Sequence, residues 1–116
     1  MWDENIPVIR QAVIEGVGIE KSKMEHVTIV ENLRFFCKEM DFHIVKDFEY
    51  HFMPHGSSIV CILEESHTSV HTWPEKGYLH MDLVTCTKEK NKLTKLADIF
   101  ESIFNPKSVR VINLKY

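Results

Sequence analysis

No uncharged apolar run in this chain approaches the roughly 20 residues that a membrane-spanning helix requires, so no bilayer span is expected. Basic residues are outnumbered as well: 14 Lys and Arg face 17 Asp and Glu, for a net charge of −3. That balance offers no electropositive footprint, and neither nucleic acid nor a membrane is an expected partner. The 3 cysteines, Cys37, Cys61 and Cys86, are odd in number and widely spaced. Such spacing argues against a disulfide framework and suits a reducing compartment. Glycine and proline, 4 of each, build no linker, repeat or low-complexity tract. The opening Met1-Trp2-Asp3-Glu4-Asn5 has neither the basic start nor the apolar core of a signal peptide. A cytoplasmic protein is the expectation.

What is present fits a single domain over residues 1–116, with 44% hydrophobic and 27% charged residues. Pro7 to Ile19 is mainly apolar and β-branched, which predicts a first strand interrupted by Gly16 and Gly18. Ser22-Lys23-Met24-Glu25 has the form of a capping box. Val27, Val30, Leu33, Phe36, Cys37 and Met40 follow at helical spacing. From Phe42 the period becomes two, with Phe42, Ile44, Phe48, Tyr50 and Phe52 on one side of a strand. Pro54-His55-Gly56 signals a turn, and Ser57 to Leu63 reads as the returning strand. Tyr78 to Thr85 is a further strand, with Leu79, Met81 and Leu83 on one face. Thr87 is placed to cap a second helix bearing Leu93, Leu96, Ala97, Phe100, Ile103 and Phe104, and Val109 to Leu114 closes the chain as a strand. The order β-α-β-β-β-α-β predicts an α+β fold, a two-layer α/β sandwich with a mainly antiparallel sheet and both helices on one face. The other face then needs a cover, and a second copy of the chain would supply one.

The segment from Glu64 to Glu75, Glu-Glu-Ser-His-Thr-Ser-Val-His-Thr-Trp-Pro-Glu, concentrates reactive groups, and Cys86 follows downstream. It reads as too polar for a packed strand and too β-branched for a helix. A metal site is disfavoured, because His67 and His71 four apart share an ion only on a helix, and no second ligand cluster completes a set. A hydrolase built on Ser66 or Cys86 with His71 as base lacks the nucleophile elbow and a glycine-rich oxyanion loop. Self-processing is the third reading. In a strained turn the Ser66 hydroxyl can attack the Glu65 carbonyl and convert the amide into an ester. Removal of the Ser66 α-proton then eliminates the upstream acid, and hydrolysis of the resulting dehydroalanine leaves a pyruvoyl group.

Glu65-Ser66-His67-Thr68-Ser69-Val70-His71-Thr72-Trp73-Pro74-Glu75, with Gly77-Tyr78, Asp82-Leu83 and Thr85-Cys86, resembles the prokaryotic pyruvoyl-dependent S-adenosylmethionine decarboxylase proenzymes. Phe52-Met53-Pro54-His55-Gly56 is similar to the turn ahead of that family's cleavage strand, and the similarity runs from about Ile9 to Ile112. The resemblance implies cleavage between Glu65 and Ser66, giving a β chain 1–65 and an α chain 66–116, with Ser66 becoming the pyruvoyl cofactor. Ser58 and His71 match the processing serine and histidine, and Cys86 matches the acid that protonates the substrate carbon. Glu75 matches the carboxylate on the ribose hydroxyls, and Phe52 the aromatic on adenine. Phe52 or Trp73 would also attract a sulfonium by about 1 kcal/mol. A pyruvoyl carbonyl serves as an electron sink, so no external cofactor is needed. The family's homodimers, or dimers of processed αβ pairs, build their sites at the interface. The first strand, Ile9-Arg10-Gln11-Ala12-Val13-Ile14-Glu15-Gly16, departs from the family's usual glycine and histidine. The alternatives are ornithine or arginine decarboxylation on the same scaffold, or a processing-defective partner subunit.

Overall fold

A computed structural model describes residues 5–86 and 93–114. The elements are β1 (Arg10–Val17), α1 (His26–Glu39), β2 (Ile44–His51), β3 (Ser57–Leu63), β4 (Ser66–Trp73), β5 (Tyr78–Thr85), α2 (Leu96–Phe104) and β6 (Ser108–Leu114). They form one 6-stranded sheet in the order β2-β3-β4-β5-β1-β6. Every pairing in it is antiparallel. Both helices pack on one face, as the α+β reading expects.

Strand alternation selects that face. Ala12 and Ile14 of β1, Ile59, Cys61 and Leu63 of β3, and Leu79, Met81 and Leu83 of β5 are all buried. Ile29, Val30, Leu33, Phe36 and Cys37 of α1 and Leu96, Phe100 and Phe104 of α2 meet them. Each such side chain contributes about 1.5–3 kcal/mol when fully buried. Phe36 joins the helices, with its ring edge-on to Phe100 at 6.5 Å. Gly16 lets α2 close onto β1, since a Cβ there would stand 3.0 Å from the Phe100 ring.

Four expectations are corrected. The segment read as too polar for a strand is β4, a central strand. Its inward positions Thr68, Val70 and Thr72 are buried, and the threonine hydroxyls are satisfied. Thr68 donates to the Asp82 carbonyl at 2.8 Å, and Thr72 accepts from the Ser57 N–H at 2.9 Å. Polarity therefore carries no burial penalty there.

Second, β2 does not keep one face. An irregularity between Ile44 and Lys46 inserts an extra residue, which reverses the alternation. Phe42 stays in the core and Ile44 packs against it, whereas Phe48, Tyr50 and Phe52 are exposed, Tyr50 at 63%.

Third, Lys21–Lys23 is a 3-10 turn, and α1 starts at His26 with Glu25 as N-cap and no side-chain capping bond. Fourth, Val27 is exposed at 65%, and Ile29 takes its place on the buried stripe of α1. The expected Thr87 cap lies outside the described residues.

Candidate active site

β3 and β4 form a hairpin closed by Glu64 and Glu65, with Leu63 opposite Ser66. Two-residue hairpin loops match strand twist when both loop residues take positive φ, a conformation suited to Asn and Gly. Neither glutamate does so. The reversal is completed instead at Ser66, whose φ is 148°. A non-glycine residue held there stores on the order of 1–3 kcal/mol of strain.

The Glu65–Ser66 peptide bond sits between two neighbours. The Cys86 main-chain N–H donates to the Glu65 carbonyl oxygen at 2.9 Å, while the Cys86 side chain is an exposed free thiol. On the other side, Ser66 Oγ lies 3.1 Å from His67 Nδ1. Thr85 faces Ser66 across the β4–β5 ladder. Its buried Oγ1 has no hydrogen-bond partner among the described residues.

The remaining expected residues gather at the opposite end of β4. Ser58 pairs with His71 in the ladder, and Ser58 Oγ lies 2.7 Å from His71 Nδ1. A cavity of about 270 Å³ is lined by these two with Phe52, His55, Trp73 and Glu75. The Pro74–Lys76 turn, closed by Gly77 at φ 60°, presents Glu75. His55 Nε2 fixes that carboxylate at 2.9 Å. Trp73 packs on Tyr78 at 5.4 Å. The Tyr78 phenol donates to Glu15 at 2.5 Å. Burial and that bond push its pKa up to about 12. The Tyr78 bond, then Arg110, holds Glu15 below the usual carboxylate range.

The structure therefore brings the expected residues into two clusters rather than one. Glu65, Ser66 and Cys86 form the first; Phe52, Ser58, His71, Trp73 and Glu75 form the second. Five strand steps from Ser66 to His71, at roughly 3.3 Å each, separate them by about 16 Å. His67 and His71, about 13 Å apart by the same rise, cannot share an ion. Three further histidines lie beside the two clusters: His67 next to Ser66, His55 on Glu75, and His51. In the structure His51 stacks on His26 at 4.7 Å, and His26 bridges Ser57 and Glu49. No local motif marks these contacts, because each joins distant elements.

The model of the S-adenosylmethionine decarboxylase family matches residues 10–115. The chain belongs to the S-adenosylmethionine decarboxylase family. An S-adenosylmethionine decarboxylase proenzyme of Persephonella marina is 38% identical over 93 residues, 79% of this chain and 69% of that protein. The Sulfurihydrogenibium proenzyme is 36% identical over the same shares. The crystal structure of adenosylmethionine decarboxylase from Aquifex aeolicus superposes with a TM-score of 0.82 at 28% identity. That match covers 93% of this chain and 89% of the other. No helix among the described residues is long and apolar enough to cross a membrane.

Proposed function

We propose that this family member cleaves its own chain between Glu65 and Ser66. It then decarboxylates S-adenosylmethionine in the cytoplasm to supply an aminopropyl donor for polyamine synthesis. The observation that carries the reading is Ser66 at φ 148° beside a carbonyl polarised by the Cys86 N–H.

Ser66 Oγ attacks the Glu65 carbonyl carbon while His67 Nδ1 takes the hydroxyl proton. The Cys86 N–H steadies the developing oxyanion, as oxyanion-hole donors do. The C–N bond breaks, the nitrogen is protonated, and an ester links the chains. A base then removes the Ser66 α-proton, and Glu65 leaves as a carboxylate. Water hydrolyses the remaining dehydroalanine, after tautomerisation to an imine, with loss of ammonia.

The matched base, His71, stands about 16 Å along β4 in the same chain and is out of reach. A second copy resolves this. The uncovered sheet face exposes Phe48, Tyr50, Val60, Ile62, Ile112 and Leu114, an apolar area of the kind that marks an interface. A two-fold axis crossing the middle of β4 would lay Ser66 of one chain over His71 of its partner, twice per dimer. Each complete site then draws Glu65, Ser66 and Cys86 from one chain, and Phe52, Ser58, His71, Trp73 and Glu75 from the other.

The surroundings of Ser66 fit a pyruvoyl group. The buried Thr85 hydroxyl opposite it has no partner among the described residues and can donate to the group, and the Cys86 N–H is released by cleavage. The group supplies a conjugated carbonyl that accepts the electron pair freed when carbon dioxide departs. Phe52, at 47% exposure, and Trp73, at 41%, offer open aromatic faces to an adenine and a sulfonium. Glu75, aimed by His55, accepts from ribose hydroxyls. The Cys86 thiol returns a proton to the substrate carbon.

Alanine at Cys86 keeps the main-chain N–H that cleavage uses and removes only the acid. Cys86→Ala is therefore expected to retain most chain cleavage while losing about 10²–10⁴ in turnover. Equal loss of both, read by denaturing mass spectrometry and carbon dioxide release, would reassign Cys86. Wild-type protein should release carbon dioxide from S-adenosylmethionine in preference to ornithine and arginine. Preference for either amino acid would replace the proposed substrate.

A further inference from the structure

His43 precedes β2 and holds both residues of the cleavage hairpin. The Glu64 N–H donates to the His43 carbonyl at 2.9 Å. The His43 N–H donates to Glu65 Oε1 at 3.0 Å, and His43 Nδ1 lies 2.9 Å from Glu65 Oε2. The His43 ring nitrogen and carboxylate oxygens of Glu64 and Glu65 all lie within 4.8 Å of one another. Glu65 is thus tied at both ends of the residue, by its side chain to His43 and by its carbonyl to Cys86. The strained φ falls on the next residue, Ser66.

We propose that His43 is a positioning residue for backbone cleavage, a strap that holds the Glu64–Glu65 turn so that the strain at Ser66 cannot relax. The inference rests on the self-processing reading above. Without the ring bond, the His43 main-chain N–H alone holds the Glu65 carboxylate. The turn then relaxes more readily toward an ordinary hairpin conformation, and Ser66 Oγ loses its approach to the Glu65 carbonyl. His43 touches neither reacting atom and acts through Glu65.

The charges around the ring support the strap. Among the described residues, Glu65 at 2.9 Å, Glu64 at 3.8 Å and Asp41 at 4.0 Å are the charged groups that face it. Bonding to Glu65, then the nearby negative charges, raises the His43 pKa above its ordinary 6.5. Burial pushes the Glu65 carboxyl upward, but the His43 side-chain and backbone bonds outweigh it, and the net shift is downward. The strap is charged from the lowered Glu65 pKa up to the raised His43 pKa. It weakens as pH rises through the latter, because a neutral imidazole gives only an uncharged hydrogen bond.

The test follows cleavage of newly made full-length protein by denaturing mass spectrometry across pH. Wild type is compared with His43→Asn, which keeps a donor near the Nδ1 position without the titrating charge, and with His43→Leu. Loss of this bond should slow cleavage about tenfold in His43→Leu at neutral pH. His43→Asn, which restores only the uncharged hydrogen bond, should recover part of that loss. The ratio of wild-type to His43→Asn rates, in which the titration of other groups cancels, should fall toward one as pH rises past the His43 transition. A folded His43→Leu that cleaves at the wild-type rate, or a ratio flat with pH, overturns the strap. Should His43→Leu fail to fold, the pH dependence of the ratio decides alone. A wild-type chain that never cleaves overturns the self-processing reading and the strap with it, whereas cleavage indifferent to His43 overturns the strap only.

Discussion

Ser66→Ala is expected to leave the protein as one uncleaved 116-residue chain with no decarboxylase activity. The loss is total because one atom serves two stages. Ser66 Oγ is the nucleophile that turns the amide into an ester, and the ester oxygen it becomes is the leaving group of the elimination. Alanine has no oxygen at that position, and neither His67, at 3.1 Å from Ser66 Oγ, nor the Cys86 N–H on the Glu65 carbonyl can replace it. The fold should persist, since Ser66 sits half-buried at a hairpin rather than in the core. Coincident melting of mutant and wild-type proteins with no cleavage in the mutant is the expected pairing. Cleavage of Ser66→Ala at residue 65 would move the chemistry to another nucleophile.

His71→Ala should also block maturation by itself, but a mixture should rescue it. If the two clusters of one chain served the same site, chains carrying Ser66→Ala and His71→Ala would be equally dead in any combination. The 16 Å or so along β4 makes that arrangement unworkable. In a mixed dimer, one site combines the intact Ser66 of the His71→Ala chain with the intact His71 of the Ser66→Ala chain. The other site lacks both groups. Random pairing in co-expressed, differently tagged chains places about half of the His71→Ala chains in such dimers. Those chains should be cleaved, and the Ser66→Ala chains should remain whole. Absence of cleavage in the mixture would place His71 on the same site as its own Ser66.

The sequence exposed the chemistry more readily than the geometry. Elements with a strong hydrophobic period, such as α1 and β5, lie close to where alternation and helical spacing put them. β4 was hidden because its inward residues are Thr68, Val70 and Thr72, and threonine counts as polar until its hydroxyl finds a partner. Those partners, the Asp82 carbonyl and the Ser57 N–H, belong to neighbouring strands and have no local signature. The reversal in β2 was hidden for a related reason. One extra residue near Ile44 moves Phe48, Tyr50 and Phe52 from the core side to the open face, and the periodic pattern alone does not register it.

At the site, the family resemblance picked out residues that the fold does cluster, but it said nothing of their separation along one strand. That separation depends on β4 being extended. The roles of His43, His55 and Thr85 were not legible in the sequence. His43 and His55 depend on contacts between elements, with Glu65 and Glu75 respectively. Thr85 depends on facing Ser66 across the ladder.

Denaturing mass spectrometry of the purified wild-type protein tests the central claim most directly. Self-processing predicts a chain of 65 residues ending at Glu65 and a second of 51 (116 − 65) whose first residue is a pyruvoyl group in place of Ser66. A single intact 116-residue chain that persists through long incubation would contradict it.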